Sequence, residues 1–196
     1  MTFTIRAATR ADADGITDVQ VASWRVGYAH VFPDSVLFAD DFESSRRAFW
    51  NEWRFAPGHR IAVAVEAHLD DPVEDALDTP DDGRVDGRVV GRVVGFSSYG
   101  QERERARGFT GRGEVWAFYL HPDAWGSGAA SALMQHTEDR MRAEGFDTAV
   151  LWVLDDNPRA RAFYEKFGWH PSGLAADFDR YCEATVPEVE YRKELS

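Results

Sequence analysis

The chain predicts a mixed α/β fold, and three observations carry that expectation. Runs rich in Val, Ile and aromatic residues at 60–66, 114–120 and 148–154 read as strands. Apolar residues at helical spacing (Ile16, Val19, Trp24) mark an early helix. Between 114 and 167 the pattern of strand, loop and helix occurs twice in succession. Strands precede, alternate with and follow helices, which defines a mixed α/β class. At 196 residues the chain fits one domain, 1–196, long enough to bury a good core.

In order, residues 2–7 alternate as a strand, and Thr9 caps a helix running through Asp12 to Trp24. The stretch Val31-Phe32-Pro33-Asp34 ends it, and a second helical region, in one or two pieces, reaches about Phe55. Pro57-Gly58 turns into the strand at 60–66. An acidic loop insertion at about 68–88 follows, with Pro72, Pro80 and an Asp-Asp-Gly turn, and it is expected to be exposed or disordered. A brief Gly-Arg-Val-Val repeat leads into a strand reaching Tyr99. A glycine-rich connection at 101–113 precedes the strand at 114–120. Then come a helix at 126–144, a strand at 148–154, a helix at 158–167 and a last strand near 188–193.

The net charge of −12 argues against DNA or RNA as a partner, because phosphate neutralisation needs a basic surface. Much of that charge is local: 68–86 holds eight acids against Arg84 alone, contributing −7. An anionic small molecule needs only a local positive potential. Cys182 is the single cysteine, so no internal disulfide and no cysteine zinc cluster can form. The six His show no metal-ligand spacing, and no metal is expected. No apolar run approaches the ~20 residues that span a bilayer, and the N-terminus has no signal core. The cytoplasm is the expected location, with no membrane partner.

The chemistry concentrates in Trp125-Gly126-Ser127-Gly128-Ala129-Ala130-Ser131, a small-residue loop that opens a helix. Free N–H groups and the positive end of the helix dipole converge at such a point, which suits a phosphate. A nucleotide P-loop would need Gly-Lys-Ser/Thr, but Ala129-Ala130 follow Gly128. A dinucleotide fingerprint would need a third glycine where Ser131 stands.

A third class fits. The loop resembles that of the GNAT superfamily of N-acetyltransferases, whose pattern is Gln/Arg-x-x-Gly-x-Gly/Ala. The small positions fall on Gly128 and Ala130, while Trp125 departs from Gln/Arg. The run Asp156-Asn157-Pro158-Arg159-Ala160-Arg161-Ala162-Phe163-Tyr164-Glu165-Lys166-Phe167-Gly168-Trp169 resembles the family's second cofactor motif. Ile5-Arg6-Ala7-Ala8 and Ser23-Trp24-Arg25-x-x-Tyr28 resemble its start. The likeness spans most of the chain apart from the acidic insertion.

The resemblance implies a central, mostly antiparallel twisted sheet with a splayed parallel strand pair and helices on both faces. It implies acetyl-coenzyme A (acetyl-CoA) as cosubstrate. The pantetheine arm would lie between the strands at 114–120 and 148–154 and bond to backbone near Phe118, Tyr119 and Leu120. The N–H of Phe118 or Tyr119 would face the thioester oxygen. The amides from Gly126 to Ser131, through Ser127, Gly128, Ala129 and Ala130, would hold the diphosphate, and bulk at Gly128 or Ala130 would block its approach.

Transfer to an amine makes three demands: a neutral amine, a stabilised oxyanion and a proton for the leaving thiolate. By resemblance Tyr164 donates that proton. A thiol near pKa ~8.5 and a phenol near ~10 make this reasonable, although Phe163, Tyr164 and Phe167 could equally share a core-facing helix side. Asn157 would bond the pantetheine, or would simply cap its helix. Glu114 reads either as the base that frees the amine or as a solvated strand-end carboxylate; by alternation it shares a face with Trp116 and Phe118. Tyr28, His121 and His170 are lesser candidates, and His121-Pro122 reads as the end of a strand.

For the acceptor, Trp24 and Tyr28, with Phe32, Trp50 and Trp53, either line a substrate cleft or form the core of the helical layer. The expected function is N-acetylation of a primary amine on a small molecule or peptide by direct attack in a ternary complex. The alternative is a coenzyme A-binding interaction module without catalysis. A homodimer is common among such proteins.

Overall fold

A computed structural model describes residues 3–52, 58–66, 91–103, 111–178 and 185–195. The acidic insertion, the first copy of the brief repeat, Trp53, Cys182 and the centre of the 101–113 connection lie outside the described residues.

Seven strands form a continuous sheet in the order β1-β2-β3-β4-β5-β7-β6. They are β1 (Phe3–Ala7), β2 (Arg60–Glu66), β3 (Arg92–Gln101), β4 (Gly113–Leu120), β5 (Thr148–Leu154), β6 (His170–Phe178) and β7 (Val186–Glu194). All neighbours pair antiparallel except β4 and β5, which run parallel. The helices are α1 (Ala13–Gly27), α2 (Asp34–Leu37), α3 (Phe42–Glu52), α4 (Ala129–Ala143) and α5 (Pro158–Lys166).

Each helix buries one stripe. On α1 the buried positions include Ile16, Val19 and Trp24, the expected spacing. Ile16 and Val19 pack with Val63, Phe96 and Trp50 on one face of the sheet. Leu133, Met134 and Met141 of α4 pack with Val115, Leu151 and Tyr164 on the other face. Full burial of each such side chain contributes about 1.5–3 kcal/mol. Trp50 is therefore a core residue, and Trp24 and Phe32 are buried as well but also form part of a cavity wall described below.

The observed boundaries correct several expectations. Thr9 precedes a short 3₁₀ turn (Arg10–Asp12), and α1 begins only at Ala13. The Asp12 carboxylate accepts from the Thr9 amide at 2.7 Å and from Arg6 at 2.7 and 2.8 Å, which ties the end of β1 to this turn. The helix expected from 126 starts at Ala129, because Gly126 and Gly128 adopt positive φ. The strand β6 was not foreseen. It carries Pro171, Ser172 and Gly173, and it is an exposed edge strand whose register with β7 shifts between Pro171 and Ala175. Such a strand has no alternating apolar pattern to betray it.

One irregularity sets the shape of the centre. The β3–β4 ladder pairs Ser98 with Ala117 and Tyr99 with Val115, so Trp116 is an extra residue in β4. A bulge of this kind bends its strand and reverses the phase of the side chains beyond it. Gly100 of β3 makes room for it: a Cβ there would lie 2.6 Å from Trp116 Cη2. Beyond the bulge, Phe118 stacks on Phe163 of α5 at 5.6 Å, whereas Tyr119 packs with Phe96 on the α1 face. The expectation that Glu114 and Phe118 share a face therefore fails, because simple alternation does not survive the extra residue.

Candidate active site

The parallel ladder between β4 and β5 holds three pairs, Gly113↔Ala149, Glu114↔Val150 and Val115↔Leu151, and then stops. Past Val115 the two strands diverge. Each keeps its outer partner, β3 or β7, so the strands stay extended while their facing edges carry no mutual hydrogen bonds. Unpaired strand edges inside a protein are a template for an extended, amide-bearing ligand.

A cavity of about 470 Å3 occupies this fork. Its walls include Phe118, Tyr119 and Leu120 from β4, Trp125, Gly126 and Ala130 from the loop and α4, and Asn157 and Tyr164 from α5. Ser127, Gly128, Ala129 and Ser131 do not line it.

The loop is locally self-consistent. Ser127 donates its hydroxyl to the Ala124 carbonyl at 2.7 Å, and its oxygen accepts from the Ala129 amide at 3.3 Å. The Ser127 amide also bonds to the Ala124 carbonyl. Among the described residues, the amides left without a partner in this stretch are those of Gly126, Gly128, Ala130 and Ser131. Two of the six amides expected to serve an anion are thus committed within the loop. Trp125 turns its indole Nε1–H onto the Leu120 carbonyl at 3.1 Å, which ties the loop to the end of β4.

On α5, Asn157 is the N-cap: its side-chain oxygen accepts from the Ala160 amide at 3.1 Å, and Pro158 fills the first helical position. Its side-chain nitrogen has no hydrogen-bond partner among the described residues, and the residue lines the cavity. Tyr164 is 7% exposed, with its ring among Phe118, Trp169 and Tyr191. Its hydroxyl makes no hydrogen bond among the described residues. Burial, and secondarily the nearby Tyr119, push the phenol well above its ordinary value, so it holds its proton firmly.

A second, smaller cavity of about 100 Å3 lies on the α1 side and shares Tyr28, Tyr119 and Trp152 with the first. Trp24, Phe32 and Trp116 supply much of its aromatic wall, and Glu114 and Glu188 its acids. Glu114 is buried at 1% exposure and is not solvated. Arg103 meets both of its oxygens, through Nη2 at 2.8 Å and through its backbone amide at 2.8 Å. Burial, and secondarily the nearby Tyr119, raise the Tyr28 phenol well above its usual range.

His121 and His170 are not brought to either cavity. His121 follows β4 and caps the short turn after it, its Nδ1 accepting from the Asp123 amide at 3.2 Å. Sequence reasoning missed Trp152, Arg159 and Glu188 as wall residues. Arg159 sits inside the Asn-Pro motif and was legible there; Glu188 faces inward only because β7 inserts beside β5.

The acetyltransferase (GNAT) family model matches residues 40–169. A curated relative, the uncharacterized N-acetyltransferase YuaI of Bacillus subtilis (strain 168), is 26% identical over 95% of this chain and 90% of its own length. The chain belongs to the GNAT acetyltransferase family. Among solved structures, the PaiA N-acetyltransferase of Thermoplasma acidophilum in complex with coenzyme A is similar with a TM-score of 0.64, at 16% identity and 99% coverage of both chains. Salmonella typhimurium yncA with its cofactor acetyl-CoA is similar with a TM-score of 0.62, at 20% identity, covering 100% of this chain and 95% of that one. Both share its fold. Among the described residues no helix is long and apolar enough to cross a membrane.

Proposed function

We propose that the protein transfers the acetyl group of acetyl-CoA to a primary amine of a small molecule or peptide, by direct attack within a ternary complex. The observation that carries this reading is the fork where the β4–β5 ladder stops, with unpaired loop amides on one wall and Tyr164 on another. Bound acetyl-CoA supplies a thioester whose carbonyl carbon the amine attacks and whose thiolate departs.

The chain's own groups meet the needs of that reaction. Edge amides of β4 near Phe118 and Tyr119 would donate to the oxygen that gains charge. The amides of Gly126, Gly128, Ala130 and Ser131 would hold the diphosphate at the start of α4. The side-chain nitrogen of Asn157 would donate to the pantetheine arm. Tyr164 would give its proton to the thiolate; the burial that keeps the phenol neutral also makes it a weaker acid than a free phenol. The acceptor amine would come from the smaller cavity, past Trp24 and Tyr28, where Glu114 takes its proton directly or through water.

Free thiol release from acetyl-CoA with a panel of primary amines tests the proposal. Amine-dependent thiol release with a matching acetylated product is expected. Tight cofactor binding with no turnover on any amine would leave only a coenzyme A-binding module.

A further inference from the structure

We propose that Arg159 is the cationic clamp on the cofactor's diphosphate and that Trp125 holds it in place; the proposal rests on the acetyl-CoA reading above. The position before Gly126 carries no charge of its own, because it is Trp125. The positive charge comes instead from the first turn of α5. The Arg159 guanidinium carbon lies 3.6 Å from the centroid of the Trp125 ring, well inside cation–π range. Both side chains line the large cavity beside Gly126 and Ala130.

Three features make this a binding device as well as a surface contact. Trp125 cannot swing freely, since its Nε1–H is committed to the Leu120 carbonyl at 3.1 Å. Arg159 is exposed, yet among the described residues it has no ion pair and no hydrogen bond. A guanidinium stacked by its face keeps its edge N–H groups free, and that edge matches two phosphate oxygens. The ring therefore orders the arginine before the anion arrives, which lowers the cost of ordering it on binding. Among the described residues that line this cavity Arg159 is the only lysine or arginine, set against the carboxylate of Asp156.

Calorimetry tests this with acetyl-CoA and with its analogue lacking the 3′-phosphate, on the wild type, Arg159→Ala, Arg159→Lys, Trp125→Ala and the double alanine variant. Arg159→Ala is expected to weaken both ligands by about tenfold, a loss that shrinks at high salt. Lysine should recover only part, because it keeps the charge but not the planar edge. Trp125→Ala should cost less in the Arg159→Ala background than in the wild type, as coupled residues do. Equal binding by wild type and Arg159→Ala overturns the clamp and leaves the cofactor reading standing. A loss seen only when the 3′-phosphate is present overturns the assignment to the diphosphate. A wild type that binds no acetyl-CoA removes the reading beneath the proposal.

Discussion

Arg103 closes on Glu114 from two directions, its backbone amide on one carboxylate oxygen and its guanidinium on the other, both at 2.8 Å. The carboxylate is buried while the Arg103 side chain is 43% exposed, so the pair forms part of the wall between the smaller cavity and solvent. In the proposed reaction this carboxylate is the base that takes the amine's proton. Glu114→Gln preserves the shape and removes the basic function. With Glu114 as base, kcat/KM at neutral pH should fall about a hundredfold. A kcat/KM equal to wild type would assign Glu114 to anchoring Arg103 instead.

Tyr164→Phe keeps the ring contacts with Phe118, Trp169 and Tyr191 and removes only the hydroxyl. Turnover should drop by about ten- to a hundredfold, the lower range for a general acid because a thiolate leaves readily. Affinity for coenzyme A should stay within about twofold, since no phosphate or amide contact is touched. Turnover equal to wild type in single-turnover kinetics would take the acid role away from Tyr164.

Gly128 has φ +94 and initiates α4, so any β-branched side chain there forces the loop out of the conformation that presents its amides. Gly128→Val should reduce coenzyme A affinity at least about a hundredfold, the loss of several charge-assisted contacts. Gly145→Val is the control: φ is +87 and a Cβ there meets nothing within 4 Å, but the residue lies beyond the far end of α4. It should lower the melting temperature comparably and leave affinity intact. Unchanged affinity in Gly128→Val by calorimetry would count against the loop as the diphosphate site.

Glu66 and Arg92 are cross-strand partners at the facing ends of β2 and β3. A turn of a few residues can join such ends. Deleting 70–86 should therefore leave the melting temperature within about 2–4 °C of the full chain, the effect of ~1 kcal/mol in a domain of this size. A drop several times larger would show that the acidic segment contributes to the folded state.

Local signals account for what the sequence disclosed. Periodicity located α1 through Ile16 and Val19, the Asn157-Pro158 pair marked the start of α5, and the small residues from Gly126 to Ala130 marked the head of α4. These depend on neighbours within one helical turn or one strand pleat, which a linear pattern records directly. The candidate cofactor wall was legible for the same reason, since its loop and its Asn157–Tyr164 helix are each continuous segments.

Contacts across elements required the tertiary structure. The bulge at Trp116, which separates Glu114 from Phe118 and opens the strands past Val115, follows from how β4 must fit against Gly100 of β3. The pairing of β7 with β5, which turns Glu188 inward, and the stacking of Arg159 on Trp125 join residues more than thirty positions apart. Register and side-chain phase are settled by packing between distant segments. One extra residue in a strand reverses every face beyond it, and nothing in the linear order of that strand announces where the extra residue falls.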